Sequence, residues 1–326
     1  MDLLRTSLPE LADALDLGDA PLAAVELDDA SPAVLERIAT RARDADRILI
    51  GLGDGPPEAA DLLDLTLGNA GSASIPVDDP ETELAALADA VRRNPQASLV
   101  LAQVLRASEH LPVPAALDVE SLAYSTLLGG PEFARWLDER GPRPLPPDAE
   151  HPVLAERDGD LLHVTLNRPE RRNAYGRQLR DALVEALTIA VHAPDVRVLL
   201  DGAGPAFCSG GDLAEFGTTP DLVSAHLIRT RGGAGRLVHA LRDRIEVRLH
   251  GACVGAGLEL PAFAGTVRAA SDTVFRLPEI AMGLIPGAGG TVSLPRRIGR
   301  HRTLYLALTG RPMDAATARE WGMVDA

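Results

Sequence analysis

The sequence predicts an α/β protein in which most neighbouring strands are parallel. Three observations lead to this prediction: short apolar or alternating segments of strand length, amphipathic segments of helix length between them, and glycine-rich turns where the two meet. Strands that alternate with helices along a chain form a mainly parallel sheet. The pattern is densest in residues 151–326.

The second half of the chain contains the clearest strand and helix patterns. Residues 160–166 (DLLHVTL) alternate apolar and polar side chains and predict a strand, and the segment NRPERRNA that follows predicts a turn. Apolar residues at near-helical spacing predict a helix over about 176–192. Further strands are predicted over 196–200, 244–249 and 273–277, and a short apolar helix over about 255–264.

The first half repeats the beginning of this order. Residues 22–27 (LAAVEL) resemble 162–166, and a helix over about 32–45 and a strand near 47–52 follow. Beyond Gly53 the likeness ends, and the sequence predicts helices over about 80–93, 95–108, 117–128 and 132–139. This internal similarity indicates either a duplicated, degenerate copy or two unrelated β-α-β units.

Two domains are expected, because 326 residues exceed the roughly 150 residues of a typical domain. The proline-rich stretch GPRPLPP at 141–147 predicts a linker between residues 1–146 and 151–326. Hydrophobic residues make up 46% and charged residues 24%, as is typical of a soluble globular protein.

Composition excludes several classes of function. All 32 basic residues are arginine, which excludes a Schiff-base lysine and a phosphate-loop lysine. A net charge of -15 argues against nonspecific nucleic-acid binding. Residues 1–19 carry acids within their apolar stretch, unlike a signal peptide, and no apolar run reaches the about 18 residues of a membrane span. We therefore expect a cytoplasmic protein with no nucleic-acid or membrane partner.

Three glycine-rich patches in the second half combine features of a reactive site. They are GPAFCSGGDL at 204–213, HGACVGAGLEL at 250–260 and FRLPEIAMGLIPGAGGT at 275–291. Small residues in a turn let backbone N–H groups approach a ligand closely. The second patch begins an apolar helix, whose first N–H groups have no partner within the helix. Two such donors aimed at one point form an oxyanion hole, which stabilises a negatively charged oxygen.

Two acidic residues in these patches are candidates for acid–base chemistry. Glu259 lies between Leu258 and Leu260, where burying a carboxylate is costly unless it has a partner or a task. Glu279 follows Pro278 at the end of a predicted strand. Two carboxylates near a desolvated site suggest acid–base work with their pKa values pushed apart. The pattern also allows structural roles: Glu259 could pair with an arginine, and Glu279 could cap a helix.

Other polar residues of the patches have simpler interpretations. Asp212 is interpreted as a turn or cap residue and His250 as a structural residue at a strand end. The two cysteines, Cys208 and Cys253, are interpreted as small packing residues. Two cysteines cannot hold a metal cluster alone, so no metal site is expected.

Together with LNRPERRNA at 166–174, the three patches resemble the crotonase, or enoyl-CoA hydratase/isomerase, superfamily. The likeness covers about residues 151–326, with four motifs in the family's order and spacing. It implies a crotonase-like ββα spiral core with a helical module, and a coenzyme A thioester as substrate with no separate cofactor.

The resemblance also implies roles for individual residues. Backbone N–H groups of Gly211 and Ala256 would hold the thioester oxygen, with alanine at a position where hydratases usually have glycine. Glu259 would activate water and Glu279 would deliver a proton, as the two glutamates of hydratases do. The residues implied at the coenzyme A site are Arg168, Arg171, Arg172, Ala174 and Ser209.

The reaction that the resemblance implies is the addition of water to a 2-enoyl-CoA. A double-bond isomerase, which needs only one of the two carboxylates, is the alternative enzyme, and a noncatalytic CoA-binding scaffold is an alternative of another class. The residues from Asp212 to Phe216 and the stretch TRGG at 230–233 would line the acyl pocket. The resemblance further implies a homo-oligomer, a trimer or an assembly of trimers.

The sequence stops where the family normally continues into a helical module that closes the active site. Residues 74–142 resemble this module, and the segment ALDVESLAYSTLLGGPEFARWLDER at 116–140 matches its final pair of helices. We expect residues 1–146 to be a degenerate partial repeat that donates these helices to 151–326. The alternative is that another subunit supplies them.

Overall fold

The computed structural model describes residues 3–11, 20–27, 31–68 and 74–325 of the chain. The segment 1–19, whose acids distinguish it from a signal peptide, lies partly outside the described residues. None of the described helices is long and apolar enough to cross a membrane. The described residues form three sheets with mainly parallel pairing, so the predicted α/β class is confirmed.

The first half builds one sheet of parallel strands that lie side by side in chain order. The strands are β1 (Leu4–Ser7), β2 (Leu22–Glu26), β3 (Ile48–Leu52) and β4 (Leu65–Leu67). Helix α1 (Pro32–Ala42) connects β2 to β3, and α2 (Pro57–Leu62) connects β3 to β4. The sequence analysis missed β1, α2 and β4, because such short segments contain too little periodicity to be recognised.

Helix α1 ends earlier than the predicted boundary at 45. The N–H groups of Asp44 and Ala45 donate to the carbonyl oxygens of Arg41 and Ala42, so the last turn has 3₁₀ geometry. The start of α1 is well specified, since Ser31 Oγ accepts a hydrogen bond from Val34 N at 3.4 Å.

Four helices follow the first sheet. They are α3 (Pro80–Arg93), α4 (Pro95–Ser108), α5 (Val113–Leu128) and α6 (Pro131–Arg140). Each has a proline in its first turn, where the missing N–H would have no helical partner. The predicted helices therefore exist, and the only large difference is that α5 begins at Val113 rather than at 117.

The second half builds the other two sheets. Their strands are β5 (Val153–Asp158), β6 (Leu161–Leu166), β7 (Arg197–Gly202), β8 (Ile245–Leu249), β9 (Ala252–Val254), β10 (Thr266–Ala269), β11 (Val274–Arg276) and β12 (Met313–Asp314). The second sheet has the order β10–β8–β7–β6–β5, and the third has the order β12–β11–β9. All neighbours in these two sheets are parallel except β5–β6 and β11–β12.

Helices connect these strands and cover the sheets. They are α7 (Arg177–Val191), α8 (Leu222–Gly232), α9 (Gly235–Ala240), α10 (Ala256–Glu259), α11 (Gly290–Ile298), α12 (Arg300–Thr309) and α13 (Ala315–Glu320). The helix predicted over 255–264 is in fact α10 followed by a 3₁₀ turn at Pro261–Phe263. Pro261 has no N–H to donate, so the α-helix cannot continue through it.

The predicted linker has no regular secondary structure between residues 141 and 150. Its end is held against α7, because Gln178 Oε1 accepts a hydrogen bond from Ala149 N at 2.8 Å. Arg168 Nη2 donates to the carbonyl oxygen of Pro147 at 3.3 Å. The linker is therefore attached to the second half at its C-terminal end.

One hydrophobic core joins the two halves of the chain. It includes Leu101, Leu127 and Phe133 of the first half together with Leu277 and Leu294 of the second. A smaller cluster lies within the first half, around Leu8, Ile38 and Leu49. The helices α3–α6 thus contact the second half of the same chain, on the side that contains the glycine-rich patches.

Candidate active site

A cavity of about 270 Å³ lies where helix α5 meets the glycine-rich patches. Its wall from the second half includes the two predicted oxyanion residues and the two predicted glutamates: Gly211, Ala256, Glu259 and Glu279. Its wall from the first half is one face of α5: Leu117, Glu120, Ser121, Tyr124 and Leu128. The fold therefore brings the residues of three separate patches together and covers them with the helical segment.

Two backbone N–H groups at this cavity have no acceptor among the described residues. Ala256 is the first residue of α10, so its N–H has no helical partner, and Gly211 N donates no backbone hydrogen bond either. Both residues line the cavity. Both N–H groups are therefore available to an acceptor that is not part of the described chain.

Gly255 allows the N–H group of Ala256 to lie at the cavity. Its φ is 49°, a left-handed conformation that favours glycine. A Cβ at this position would lie 2.5 Å from Oε1 of Glu279, closer than any side chain tolerates. The glycine therefore lets the backbone before Ala256 pass directly beside the Glu279 carboxyl group.

Glu259 is buried, with 2% of its surface exposed. Its Oε2 accepts hydrogen bonds from Ala288 N at 2.7 Å and Gly290 N at 2.8 Å. Burial raises the pKa of Glu259 to about 7, and the two backbone hydrogen bonds oppose this rise. The carboxyl group is thus fixed through one oxygen and can exist in both protonation states near neutral pH. The alternative of an arginine partner is wrong, because backbone N–H groups hold it.

Glu279 lies across the cavity with little to stabilise its charge. Its Oε2 is buried and has no hydrogen-bond partner among the described residues. Burial raises the pKa of Glu279 well above its usual value, and the nearby Glu259 adds to the rise. Among the described hydrogen bonds its side chain caps no helix, so the cap interpretation is wrong. A carboxyl group in this environment favours the protonated form.

A third buried glutamate, Glu120, enters the site from helix α5. Its Oε1 accepts a hydrogen bond from Gly289 N at 2.8 Å, and its Oε2 accepts from Thr291 N at 2.9 Å and Thr291 Oγ1 at 2.7 Å. The four consecutive N–H groups at 288–291 are therefore shared alternately between Glu259 and Glu120. Burial, followed by the charge of Glu259, raises the pKa of Glu120 to about 8.

The sequence analysis did not single out Glu120. The sequence did contain an indication of it, since Asp118 and Glu120 are the only charged residues in the helix Val113–Leu128. The same reasoning that identified Glu259 applies to it: an acid on a buried helix face needs partners. Its partners are about 170 residues away in the chain, at Gly289 and Thr291.

Replacing the carboxyl group of Glu120 is expected to loosen the loop at 288–291. In Glu120→Gln the amide group replaces one acceptor oxygen and leaves a buried N–H unpartnered, which costs about 1–3 kcal/mol. Urea-induced unfolding should show this loss, together with reduced turnover. The control is Glu139→Gln, the same substitution at an exposed residue of helix α6 that forms no ion pair with the described residues. Equal stability of Glu120→Gln and the control would contradict the anchoring role.

The five residues assigned to the coenzyme A site do not line the cavity itself. Arg171 donates hydrogen bonds of 2.7 to 3.0 Å to the buried Asp212. The side chain of Arg168 is 6% exposed and contacts Glu170 and the linker. Arg172 is exposed and forms no ion pair with the described residues. Two of the three arginines therefore already bind other residues of the chain. The sequence pattern could not reveal this.

The remaining two assigned residues, Ala174 and Ser209, both contact the turn at 166–174. Ala174 N donates to the carbonyl oxygen of Arg171 at 3.2 Å, and Ser209 Oγ donates to the same oxygen at 3.4 Å. Both contacts stabilise the turn that positions Arg172. The residues Tyr175, Gly176 and Arg177, just beyond this turn, do line the cavity.

The other polar residues of the patches make contacts within the fold, and Asp212 also lines the cavity. Asp212 Oδ1 accepts a hydrogen bond from Ala214 N at 3.0 Å, as a turn residue does. His250 contacts the carbonyl oxygen of Gly204 through Nε2 at 2.9 Å. Cys208 and Cys253 are free thiols buried in the core. No group of described His, Cys, Asp and Glu residues could hold a metal ion.

Comparison with known proteins identifies the family of the second half. Residues 156–326 match the family model described as enoyl-CoA hydratase/isomerase. A probable enoyl-CoA hydratase of Mycobacterium bovis is 35% identical over 175 residues, which cover 53% of this chain and 66% of the relative. The 1,2-epoxyphenylacetyl-CoA isomerase of Escherichia coli is 35% identical over 178 residues, with 53% and 68% covered. The chain thus spans about two thirds of the length of these relatives.

Solved structures of similar proteins cover the same part of the chain. An enoyl-CoA hydratase from Thermoplasma volcanium is 32% identical with a TM-score of 0.49, over 53% of this chain and 70% of its own. A putative enoyl-CoA hydratase from Thermobifida fusca in complex with CoA is 29% identical with a TM-score of 0.48, over the same shares. The matching family model covers more than half of the chain and contains all the predicted site residues. The protein that carries this cavity is therefore a member of the enoyl-CoA hydratase/isomerase family.

Proposed function

We propose that the protein adds water across the double bond of a 2-enoyl-CoA thioester. One observation supports this proposal most strongly: two carboxyl groups with raised pKa values and two backbone N–H groups without acceptors line the same cavity. Hydration needs all four groups, since a base must activate water, an acid must protonate carbon, and donors must stabilise the enolate oxygen.

The N–H groups of Gly211 and Ala256 bind the thioester carbonyl oxygen in this mechanism. When water adds to the β-carbon, negative charge moves onto this oxygen and an enolate forms. Donors that are already oriented stabilise that charge without reorganisation, and they act more strongly in a cavity that excludes water. The thioester oxygen thus replaces the acceptor that both N–H groups lack within the chain.

Glu259 acts as the base. A base functions best when its pKa lies close to the working pH, and the Glu259 pKa of about 7 meets this condition. The backbone N–H groups of Ala288 and Gly290 hold its Oε2. Its Oε1 accepts no hydrogen bond from the described residues, which leaves that oxygen for the attacking water.

Glu279 acts as the acid. Its raised pKa keeps it protonated at neutral pH, so it can deliver a proton to the α-carbon of the enolate. In one turnover Glu259 gains a proton from water and Glu279 loses a proton to the α-carbon, so the number of protons on the pair is unchanged. Exchange with solvent then returns each glutamate to its starting state. The two glutamates thus differ in role because their surroundings differ: hydrogen bonds anchor Glu259, and only Glu279 has a buried oxygen without a partner.

The coenzyme A part of the substrate extends towards the turn at 166–174. Arg172 is exposed there, while Arg168 and Arg171 hold the turn through Glu170 and Asp212. We assign phosphate attraction to Arg172 and a supporting role to the other two arginines. Attraction by an exposed arginine weakens as salt is added, so substrate affinity should decrease with ionic strength.

A panel of acyl-CoA thioesters tests the proposed function. The full chain is incubated with 2-enoyl-CoA and 3-enoyl-CoA substrates, and the products are identified by mass spectrometry and chromatography. Gain of one water by the 2-enoyl-CoA supports hydration. A shifted double bond without gain of water indicates the isomerase, which needs a single carboxyl group. Binding of CoA thioesters without any product indicates a noncatalytic scaffold, and either of the last two results overturns the proposal.

Loss of one oxyanion donor should slow the reaction strongly. Ala256 is the first residue of α10, where proline fits the helix but removes the N–H. Ala256→Pro should therefore keep the fold and lower turnover about 10²–10³-fold. Steady-state kinetics measure the effect, and Ala256→Gly, which keeps the N–H, is the control. Unchanged turnover in a folded Ala256→Pro variant would contradict the assignment of this donor.

A further inference from the structure

Arg229 of helix α8 lies in the wall of the active-site cavity. Its guanidinium group stacks over the ring of Tyr124, with Cζ 4.6 Å from the ring centroid. Its Nε donates to Ser121 Oγ at 3.1 Å, and its Nη2 donates to the Ser121 carbonyl oxygen at 3.0 Å and to Ser125 Oγ. The side chain is thus held in one orientation by three residues of α5.

No carboxylate of the described residues forms an ion pair with Arg229. Of the other three arginines of the cavity wall, Arg180 pairs with Asp181 and Arg236 pairs with Asp118. Arg177 has no such partner among the described residues, but it is exposed to water, which Arg229 is only in part.

Burial lowers the pKa of Arg229, so its charge has lost much of its hydration. The charge of Glu120 acts in the opposite direction, but both of its carboxylate oxygens accept hydrogen bonds from Gly289 and Thr291. A partly desolvated guanidinium with no carboxylate bonded to it directly is suited to an anionic ligand.

One nitrogen of Arg229 is still free to bind a ligand. An arginine has five N–H donors, and the contacts with α5 use those of Nε and Nη2. Nη1 donates no hydrogen bond to the described residues, and it is not among the atoms that are sealed from solvent without a partner. Because Arg229 lines the cavity, a ligand in the cavity can reach these donors.

We propose that the acyl group of the substrate ends in a carboxylate and that Arg229 binds it. This proposal rests on the proposed function, because it concerns the acyl part of the same thioester. A carboxylate neutralises the partly buried guanidinium and accepts its free N–H groups. An acyl chain that ends in a methyl group would displace water from the guanidinium but could not accept a hydrogen bond from it. The substrate class is therefore the CoA monothioesters of unsaturated dicarboxylic acids.

Matched pairs of substrates test this inference with the full chain. Each pair consists of a five- or six-carbon 2-enoyl-CoA that ends in a methyl group and its counterpart of equal length that ends in a carboxylate. The wild type should have a kcat/KM about 10- to 100-fold higher for the carboxylate member, as expected for a charge-assisted hydrogen bond. Equal values, or a preference for the methyl member in both pairs, would overturn the proposal.

Substitution of Arg229 tests whether this residue causes the preference. Arg229→Met removes the charge at similar length and should abolish the preference by lowering kcat/KM for the carboxylate member alone. Arg229→Lys keeps the charge and should retain part of the preference. The control is Arg248→Met, which removes an exposed arginine from strand β8. If Arg229→Met lowers kcat/KM equally for both members of a pair, Arg229 only connects helices α5 and α8 and does not select the substrate.

Binding of saturated thioesters separates this inference from the proposed reaction. Hexanoyl-CoA and adipoyl-CoA have six carbons each and cannot be hydrated, and their affinities are measured by calorimetry. Tighter binding of adipoyl-CoA to the wild type, lost in Arg229→Met, supports the inference even if no substrate is hydrated. Equal binding of the two by the wild type overturns it even if hydration is observed.

Discussion

Replacement of Glu259 or Glu279 by glutamine is expected to abolish hydration while CoA-thioester binding persists. Glutamine keeps the size and polarity of the side chain but cannot exchange a proton at neutral pH, and general acid–base catalysis contributes about 10²–10⁴-fold. Glutamine at 259 can still accept the hydrogen bonds of Ala288 and Gly290 through its amide oxygen, so the loop stays in place. Steady-state kinetics with the 2-enoyl-CoA that the wild type hydrates fastest measure the loss of turnover.

The control for these variants is Glu156→Gln on the exposed strand β5. This change removes the same charge far from the cavity and should leave turnover unchanged. Asymmetry between the two site variants is informative: an enzyme that still shifts a double bond in Glu259→Gln but not in Glu279→Gln uses a single proton carrier and is an isomerase. Unchanged turnover in both site variants would refute the mechanism with two glutamates.

Removal of the first half is expected to unfold or aggregate the second half. Residues 151–326 alone would expose the core surface that contacts Leu101, Leu127 and Phe133, and buried apolar surface contributes about 25 cal/mol per Å². The fragment would also lose Glu120, which anchors the loop at 288–291. Size-exclusion chromatography and circular dichroism of the isolated fragment measure the outcome.

Supplying the missing half as a separate chain is the control for this deletion. Co-expression of residues 1–146 with 151–326 should restore a soluble complex, because the linker at 141–150 contains no regular structure whose loss would matter. We propose on this basis that the helices α3–α6 complete the site in cis. A soluble, monodisperse and active 151–326 fragment would refute this proposal.

Local pattern was sufficient to predict the longer elements of the first half, about half of the elements overall, and the two glutamates. Helices over 80–93 and 95–108 follow directly from apolar periodicity, and a proline starts each of them. Glu259 was recognisable because the segment around it is otherwise apolar, so its carboxyl group was expected to be buried. Strand β4 and helix α2 were not recognisable, since three and six residues are too few to establish a period.

The arginine cluster at 168–172 illustrates where the sequence was insufficient. Its charge predicted attraction of phosphates, yet Arg171 instead forms an ion pair with Asp212, 41 residues further along. An arginine has the same sequence signature whether it is exposed or paired. Only the packing of the turn at 204–213 against the turn at 166–174 decides which arginine remains available.

The sequence by itself determined the family, the α/β class and the residues that line one side of the cavity. It did so because these properties depend on short motifs, in which glycine, proline and acidic residues have strong local preferences. The tertiary structure alone decided the other side, where Glu120, Tyr124 and Arg229 meet the glycine-rich loop. Contacts between residues more than 100 positions apart, such as Arg229 with Ser121, leave no local pattern, because their energy arises only when separate helices pack together.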